Sequence, residues 1–109
     1  MLKKEYRLKV RTKFKNFKTV STLLFTLKYE KNEKEVSNFG VIVSKKVDLK
    51  ATVRNRIRRQ ITSCLEKNLG KIKPGFNFLF IAKKEAIDKK TEEINKMIIA
   101  IIKEEELIK

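Results

Sequence analysis

Two hydrophobic periods alternate along this chain and outline its secondary structure. Val20–Tyr29 and Phe39–Ser44 are rich in β-branched and aromatic residues, which predicts two strands. The polar stretch EKNEKEVSN between them is typical of a hairpin connection. Gly40 within the second strand indicates a close backbone approach or a bulge. A third strand, Phe76–Ala82, is apolar on both faces, which predicts a buried position in the middle of a sheet.

Three other segments repeat their apolar residues every three or four positions, as the buried face of a helix does. They predict a short helix near 10–18, a longer one at about 52–68 and a third over 88–108. Thr52 and Asp88 are the expected N-caps of the last two, and Gly70 is the expected stop. The apolar faces are formed by Val10, Phe14 and Phe17, then by Val53, Ile57, Ile61, Cys64, Leu65 and Leu69, and finally by Ile94, Met97, Ile98, Ile101 and Ile102.

The order helix, strands, helix, strand, helix predicts a single mixed α/β domain over residues 1–109, with helices packed on a sheet of three or four strands. A short fourth strand is expected near Thr19–Ser21. Pro74-Gly75 predicts the turn before the last strand. The basic residues 1–9 are expected to be flexible unless binding or packing orders them.

The charge of the chain excludes more classes of function than its hydropathy pattern does. The net charge is +15, and residues 1–60 hold 18 basic against 5 acidic side chains. An excess of this size indicates a polyanionic partner, which is most often nucleic acid, with an acidic membrane surface as the weaker alternative. The longest apolar run, Met97–Ile102, is far too short to span a bilayer. The first sixty residues are therefore expected to form the binding surface.

Several kinds of chemistry are disfavoured by the residues present. The chain has no histidine, which excludes histidine acid–base catalysis and histidine metal sites. Its one cysteine, Cys64, cannot form an intrachain disulfide and is expected to be a small core residue in a protein of the reducing cytoplasm. The basic N-terminus is not followed by the apolar segment of a secretory signal. We expect no catalytic residue on this chain.

The densest charge is the stretch TVRNRIRRQI, residues 52–61. On a helix its apolar residues face the core and its arginines fan around the exposed side. Like charges four apart cost about 0.2–0.5 kcal/mol per pair, and the helix dipole is unfavourable to cations at this end. Because arginine forks bind phosphate in a bidentate manner, the cluster predicts a phosphate-binding surface for nucleic acid. One alternative is that the cluster is a solvent-exposed charged face without a ligand. A DNA-binding helix-turn-helix is disfavoured because strands precede the helix.

The stretch FGVIVSKKVDLKATVRNRIRRQI, residues 39–61, resembles the protein component of bacterial ribonuclease P. The opening LKKEYRLK and the later KPGFNFLFIAKK are similar to that family as well. The resemblance implies an α-β-β-β-α-β-α two-layer α+β sandwich with a small mixed sheet and a left-handed βαβ crossover, like the second domain of ribosomal protein S5. It also implies a subunit that assists removal of the 5′ leader from precursor tRNA at low Mg²⁺, while the RNA subunit carries the catalysis.

The resemblance assigns roles to individual residues. It implies that the catalytic RNA is contacted by Lys45, Lys46, Arg54, Asn55, Arg56, Arg58 and Arg59. It implies that the single-stranded leader is held in a cleft between the first helix and the sheet by Arg11, Phe14 and Phe17, with Phe25 and Tyr29 as further candidates. For Phe14 and Phe17 the alternative is ordinary core packing. Mg²⁺ is expected to bind mainly to the RNA subunit.

The resemblance has two departures and leaves two alternatives. The segment after the first predicted helix is shortened and lacks a glycine, and the loop VDLKATV lacks another. The alternatives are a ribosomal or general RNA-binding module without a role in tRNA cleavage, and a protein-only nuclease. The lack of histidine and of clustered carboxylates argues against the nuclease. We expect a cytoplasmic protein that is monomeric outside the holoenzyme, with catalytic RNA and precursor tRNA as partners and no membrane.

Overall fold

One four-stranded sheet packs against two α-helices in the computed structural model, which describes residues 2–9 and 12–109. This mixed α+β architecture confirms the predicted fold class. Within those residues the strands are β1 (Lys18–Ser21), β2 (Phe25–Lys31), β3 (Asn38–Ile42) and β4 (Phe76–Ala82), and the helices are α1 (Ala51–Lys67) and α2 (Thr91–Glu104). Short 3-10 helices lie at Lys4–Tyr6, Leu69–Lys71 and Lys84–Ala86.

The strands lie in the order β1-β2-β4-β3. β1 and β4 both run antiparallel to β2, whereas β3 and β4 run parallel and are joined through α1. The predicted internal position of β4 is confirmed. The hairpin predicted between Val20–Tyr29 and Phe39–Ser44 is wrong, because β4 lies between β2 and β3. The most apolar strand takes an internal position in the sheet, where Phe78, Phe80 and Ala82 are buried on one face and the residues between them are partly buried on the other.

The predicted strand Val20–Tyr29 is wrong as a single element. It contains the end of β1, a turn and most of β2, and β1 confirms the short fourth strand. The hydroxyl of Thr22 closes the turn, since it accepts the Phe25 N–H at 3.1 Å and donates to the Phe25 carbonyl at 2.8 Å. No glycine, proline, asparagine or aspartate marks this turn in the sequence, which explains the error.

The core lies between one face of the sheet and the two helices. Phe78 and Phe80 of β4 are fully buried there, together with Leu27 of β2. The predicted inner faces of both helices are confirmed: their buried residues are Ile57, Ile61, Cys64 and Leu65 in α1 and Ile94, Ile98, Ile101 and Ile102 in α2. Burial raises the pKa of the Cys64 thiol, as befits a core residue.

The expected caps of α1 are wrong at both ends. The helix begins at Ala51 after an N-cap at Lys50, so Thr52 already lies in the first turn. The carboxylate of Asp48 accepts the Lys50 N–H at 2.8 Å and forms the turn that starts the helix early. At the other end Asn68 is the C-cap, and Gly70 lies in the following 3-10 helix. The buried Asn68 amide donates to the Cys64 carbonyl at 2.7 Å, so the last helical residue, Lys67, lies three positions before the glycine.

Helix α2 is shorter than predicted. Asp88 has a φ of +67° and forms a turn, whereas Lys90 is the N-cap. The acidic first turn of Glu92 and Glu93 is confirmed. At the C-terminus the Leu107 N–H reaches back to the Ile102 carbonyl at 2.8 Å, which closes the helix before the predicted end.

The first predicted helix is wrong over residues 12–18, which contain no helix; Val10 and Arg11 lie outside the described residues. Residues 2–9 instead follow the free edge of β3. The Leu8 N–H donates to the Phe39 carbonyl at 2.9 Å. The close approach predicted at Gly40 is confirmed, because a Cβ there would lie 3.1 Å from Cδ2 of Leu8 and 3.2 Å from Cδ1 of Leu79. The N-terminal segment therefore uses the space that glycine leaves on the sheet.

Candidate nucleic-acid interface

The arginine cluster occupies the exposed side of the first half of α1. Ile57 and Ile61 anchor the helix in the core, which turns the polar positions outward. Asn55, Arg56 and Arg59 are exposed to solvent, and Arg54 and Arg58 are partly buried. The helix periodicity thus produces the fan of guanidinium groups that the sequence predicted.

Arg54 fastens the loop that precedes the helix. Its Nη1 donates to the carbonyl oxygens of Asp48 at 3.0 Å and Leu49 at 2.7 Å. The predicted lysines of this loop, Lys45 and Lys46, are both exposed. We call the basic residues of this loop and of the helix, together with Asn55, the arginine surface: Lys45, Lys46, Arg54, Asn55, Arg56, Arg58 and Arg59.

Arg58 is held by its neighbour on the helix. Its Nη1 donates to Oδ1 of Asn55 at 2.7 Å, which fixes the direction of the guanidinium group. Asn55 therefore braces an arginine of the cluster in addition to lying on the exposed surface. Arg56 and Arg59 make no such contact with any residue in the described part of the chain, so their full donor sets face solvent.

No carboxylate neutralises the arginine surface within residues 2–9 and 12–109. The ion pairs found there join Lys18 to Glu105 and Lys89 to Glu93, at 2.7 and 3.8 Å. Asp48 lies nearby, but its carboxylate is bound to a backbone amide and Arg54 contacts only its carbonyl oxygen. Concentrated positive charge without internal compensation is the electrostatic signature of a phosphate-binding surface.

A second group of predicted residues lies on the sheet face opposite the helices. Strand alternation places Lys28, Glu30 and Leu79 on this outer face, because Leu27, Tyr29 and Phe78 face the helices. Phe14 and Phe17 pack edge to face with ring centroids 6.1 Å apart. The Lys28 ammonium lies 5.1 Å from the centre of the Phe17 ring. We call residues 12–17 the aromatic segment.

An open cavity of about 660 Å³ connects the two groups. It is lined by Phe14 of the aromatic segment, by residues of β3 and by Arg58 of α1. Its lining is mostly apolar with three basic residues: Leu2, Arg7, Leu8, Lys9, Thr12, Phe14, Phe39, Gly40, Val41, Ile42, Arg58, Thr62 and Leu79. The structure thus brings Phe14 and the arginine surface to the same cavity.

The remaining candidates for the leader cleft differ in outcome. Phe25 is buried against Phe80, and Tyr29 lies on the helix side of the sheet, so the suggestion that they line the cleft is wrong. The alternative that Phe14 and Phe17 pack in the core is also wrong. Phe14 is half-buried outside the core, and the Phe17 side chain is 44% exposed. Arg11 lies outside the described residues.

Sequence reasoning missed two side chains that contact the aromatic segment. Lys28 stacks on Phe17, and the Glu30 carboxylate accepts the backbone N–H groups of Lys15 and Asn16 at 2.8 and 3.1 Å. The available signal was their spacing of two within the stretch KYE, which places both on one face of a strand. Their contact with a segment eleven or more residues earlier follows only from tertiary structure.

The described part of the chain shows neither a candidate metal site nor a membrane-spanning helix. There, no three histidine, cysteine, aspartate or glutamate side chains are grouped closely enough to hold a metal ion. No helix among the same residues is long and apolar enough to cross a membrane.

Comparison with known proteins gives one consistent result. The family profile described as Ribonuclease P matches residues 2–106. A ribonuclease P protein component from Clostridium kluyveri is 38% identical over 110 residues, covering 95% of this chain and 97% of that protein. A Staphylococcus aureus RNase P protein mutant with defective mRNA degradation activity has a TM-score of 0.85 at 26% identity, covering 95% of this chain and 91% of that one. RNase P protein from Thermotoga maritima has a TM-score of 0.81 at 25% identity, covering 90% and 96%.

Proposed function

Since the chain belongs to the ribonuclease P protein family, as a protein component of the bacterial ribonucleoprotein that processes tRNA, we propose that its arginine surface binds the catalytic RNA and its aromatic segment binds the 5′ leader of precursor tRNA. The RNA subunit carries the chemistry. The protein works in the cytoplasm as the non-catalytic subunit of this endoribonuclease and is monomeric outside the complex.

The uncompensated guanidinium groups of α1 are the observation that carries the proposal. Arg56 and Arg59 expose all their N–H donors, and Arg58 is held in place by Asn55. Planar guanidinium forks match the oxygen pairs of phosphates, and their permanent charge displaces the counterions condensed on RNA. A folded RNA places phosphates densely enough to engage several such groups at once.

The aromatic segment suits a single strand of variable sequence. An exposed phenylalanine ring stacks on any base, because every base has a π-face, and each stacked base is worth about 1–3 kcal/mol. Lys28 holds the Phe17 ring and adds positive charge beside it. Since the cavity runs from Phe14 to Arg58, a strand that lies on the segment continues toward the arginine surface.

Mg²⁺ enters this proposal through the RNA subunit. The described residues of the chain do not fit a metal site, as they contain no group of three possible ligands. The protein's part is to add positive charge and hold the substrate, which reduces the concentration of Mg²⁺ that the RNA needs to fold and bind precursor.

Precursor-tRNA cleavage by a bacterial RNase P RNA at low Mg²⁺, with and without this protein, tests the proposal. We expect the protein to stimulate cleavage at the mature 5′ end. If circular dichroism shows that the protein is folded and cleavage by a cognate RNA is still not stimulated, the chain acts only as an RNA-binding module. Cleavage by the protein without RNA subunit would contradict the assignment of chemistry to the RNA.

A further inference from the structure

A single carboxylate holds the aromatic segment on the sheet. One oxygen of Glu30, on the outer face of β2, accepts the backbone N–H groups of Lys15 and Asn16 at 2.8 and 3.1 Å. These two amides lie between Phe14 and Phe17 in the sequence. The contact therefore fixes the chain direction at the point from which both rings project.

Little else orders this part of the chain. Among the described residues, those from Thr12 to Phe17 have no helix and join no strand, and the Thr12 N–H bonds locally to the Lys9 carbonyl at 3.0 Å. The two rings contact each other, and the ammonium group of Lys28 lies over the Phe17 ring. Hydrogen bonds to a charged acceptor are about twice as strong as neutral ones, so the Glu30 contact dominates the local geometry.

The position of this negative charge is unfavourable by itself. Glu30 lies on the face where the proposed ligand is a polyanion, and an acidic residue there repels phosphate. A surface that binds a polyanion normally carries positive charge, so an acidic residue on it is expected to have a functional role. Here the carboxylate binds two backbone amides, and the gain is a fixed placement of the half-buried Phe14 ring and the exposed Phe17 ring.

We propose that Glu30 is a positioning residue for leader recognition: by binding the Lys15 and Asn16 amides it holds Phe14 and Phe17 where unpaired leader bases stack. The inference rests on the proposed function of the aromatic segment. It deepens that function by naming the residue that preorganises the site before the leader arrives.

The test uses holoenzyme assembled from a bacterial RNase P RNA and either wild-type protein or a variant. Dissociation constants are measured for precursor tRNA with a leader and for mature tRNA. We expect Glu30→Ala to weaken precursor binding about tenfold, which corresponds to the loss of roughly one stacked base. The dissociation constant of mature tRNA should not change. Glu30→Gln keeps an acceptor oxygen and should lose clearly less.

Glu35→Ala is the matched control, because it removes the same charge from an exposed position in the β2–β3 connection. If charge alone mattered, Glu30→Ala and Glu35→Ala would each bind precursor at least as tightly as the wild-type protein does. The positioning role thus predicts the opposite sign for Glu30. Equal behaviour of the two variants, or an equal loss for precursor and mature tRNA, would overturn the inference.

Two further variants separate this inference from the function beneath it. If Phe14→Ala with Phe17→Ala leaves precursor binding unchanged, the leader site itself is wrong. If that pair weakens binding and Glu30→Ala does not, only the positioning role is wrong. Glu30→Ala should add little in the Phe14→Ala, Phe17→Ala background, since the residues act as a unit. Should Glu30→Ala fail to fold, Glu30→Ser, whose short side chain cannot reach the two amides, is judged by the same criteria.

Discussion

At the residue scale, the arginines of one short motif do different work. Arg54 donates to two carbonyl groups of the preceding loop, and Arg58 donates to Asn55. Arg56 and Arg59 are exposed and without a partner among the residues described. The first two shape the surface as well as charging it, whereas the last two contribute charge and donors alone.

Substitution should separate these roles. Arg56→Ala with Arg59→Ala should leave the free energy of unfolding within about 0.5 kcal/mol of wild type and reduce the salt dependence of RNA affinity, by about one unit of log–log slope per lost phosphate contact. Arg54→Ala should in addition destabilise the protein by about 1 kcal/mol, because it loses two hydrogen bonds. Urea unfolding and RNA titrations at several salt concentrations measure both quantities.

Lys96→Ala on α2 is the control, since it removes an exposed charge outside the arginine surface. A salt slope that falls equally for Lys96→Ala and for either arginine variant would show that only net charge matters. Equal stability of Arg54→Ala and wild type would contradict the loop-fastening role of Arg54.

A second residue-scale feature joins β1, β2 and α2. The Tyr29 hydroxyl donates to Oε1 of Glu105 at 2.6 Å, and the Lys18 ammonium contacts the same oxygen at 2.7 Å. The contact with Lys18, and then that with Tyr29, holds the pKa of Glu105 below its ordinary value. The carboxylate therefore favours the folded state as long as it remains ionised.

The lowered pKa sets the pH dependence of Tyr29→Phe. A carboxyl group whose pKa is lower in the folded protein adds stability above its unfolded pKa, near 4.3, and loses it as pH falls through the folded value. We expect Tyr29→Phe to cost about 1 kcal/mol at pH 7, with a difference from wild type that shrinks below about pH 4. Urea unfolding between pH 3 and pH 7 measures this, and a difference that grows toward low pH would contradict it.

Tyr6→Phe is the matched control, because Tyr6 is also partly buried and its hydroxyl has no hydrogen-bond partner within the described residues. Its effect on the free energy of unfolding should be small and independent of pH. A pH dependence in Tyr6→Phe like that in Tyr29→Phe would assign the effect to something other than Glu105.

At the scale of elements, the N-terminal segment, residues 2–9, is ordered by packing along the free edge of β3. Asn38 donates through its side chain to the Glu5 carbonyl at 2.7 Å, and Leu8 packs over Gly40. The segment thus covers part of the free edge of β3 and forms one wall of the cavity. Its position depends on the missing side chain at Gly40.

Gly40→Val should displace this segment. A Cβ at Gly40 already meets Leu8 and Leu79 at 3.1 and 3.2 Å, so a larger side chain forces Leu8 away from the sheet. We expect a destabilisation of about 1–3 kcal/mol and a loss of amide-exchange protection at Leu8, whose N–H binds the Phe39 carbonyl. Hydrogen exchange followed by NMR, with urea unfolding, makes the measurement.

Gly70→Ala is the control for this variant, since a Cβ there meets nothing within 4 Å. It should leave both stability and Leu8 protection close to wild type. Leu8→Ala combined with Gly40→Val should lose less stability than the two single changes add up to, because the clash is relieved. Unchanged protection at Leu8 in Gly40→Val would show that the segment does not depend on this contact.

At the scale of the whole molecule, charge is distributed unevenly over a continuous core. Of the net charge of +15, +13 belongs to residues 1–60. These residues supply the arginine surface and the aromatic segment, whereas β4 and α2 supply the interior of the sheet and much of the core. The strongly basic surface repels itself in the free protein and attracts RNA, so folding and binding respond to salt in opposite directions.

Sodium chloride should therefore raise the thermal stability of the free protein while it weakens RNA binding. Between about 0.05 and 0.5 M salt, screening reduces repulsion among the basic groups more than it weakens the few ion pairs. Differential scanning calorimetry and RNA titrations on one preparation give both trends. A melting temperature that falls with salt would show that ion pairs outweigh repulsion.

Predictability differed between local and non-local features. β4 was predicted with its observed bounds and the inner faces of α1 and α2 were correct, since regular periodicity carries this information. The predicted hairpin failed because the sequence does not show that β4 inserts between β2 and β3. The helix at 10–18 failed over residues 12–18 because a stripe of aromatic residues does not reveal that Glu30 binds the backbone between them.

The sequence by itself determined the family, the basic binding surface and the amphipathic helices, because these depend on residue type and on spacing within one element. Tertiary structure alone decided the strand order, the outward placement of Phe14 and Phe17, and the cavity that links Phe14 to Arg58. It also decided the contact between Glu30 and the aromatic segment. These features arise from packing between residues that are distant in sequence, and hydrophobic burial fixes them only when the complete chain has folded.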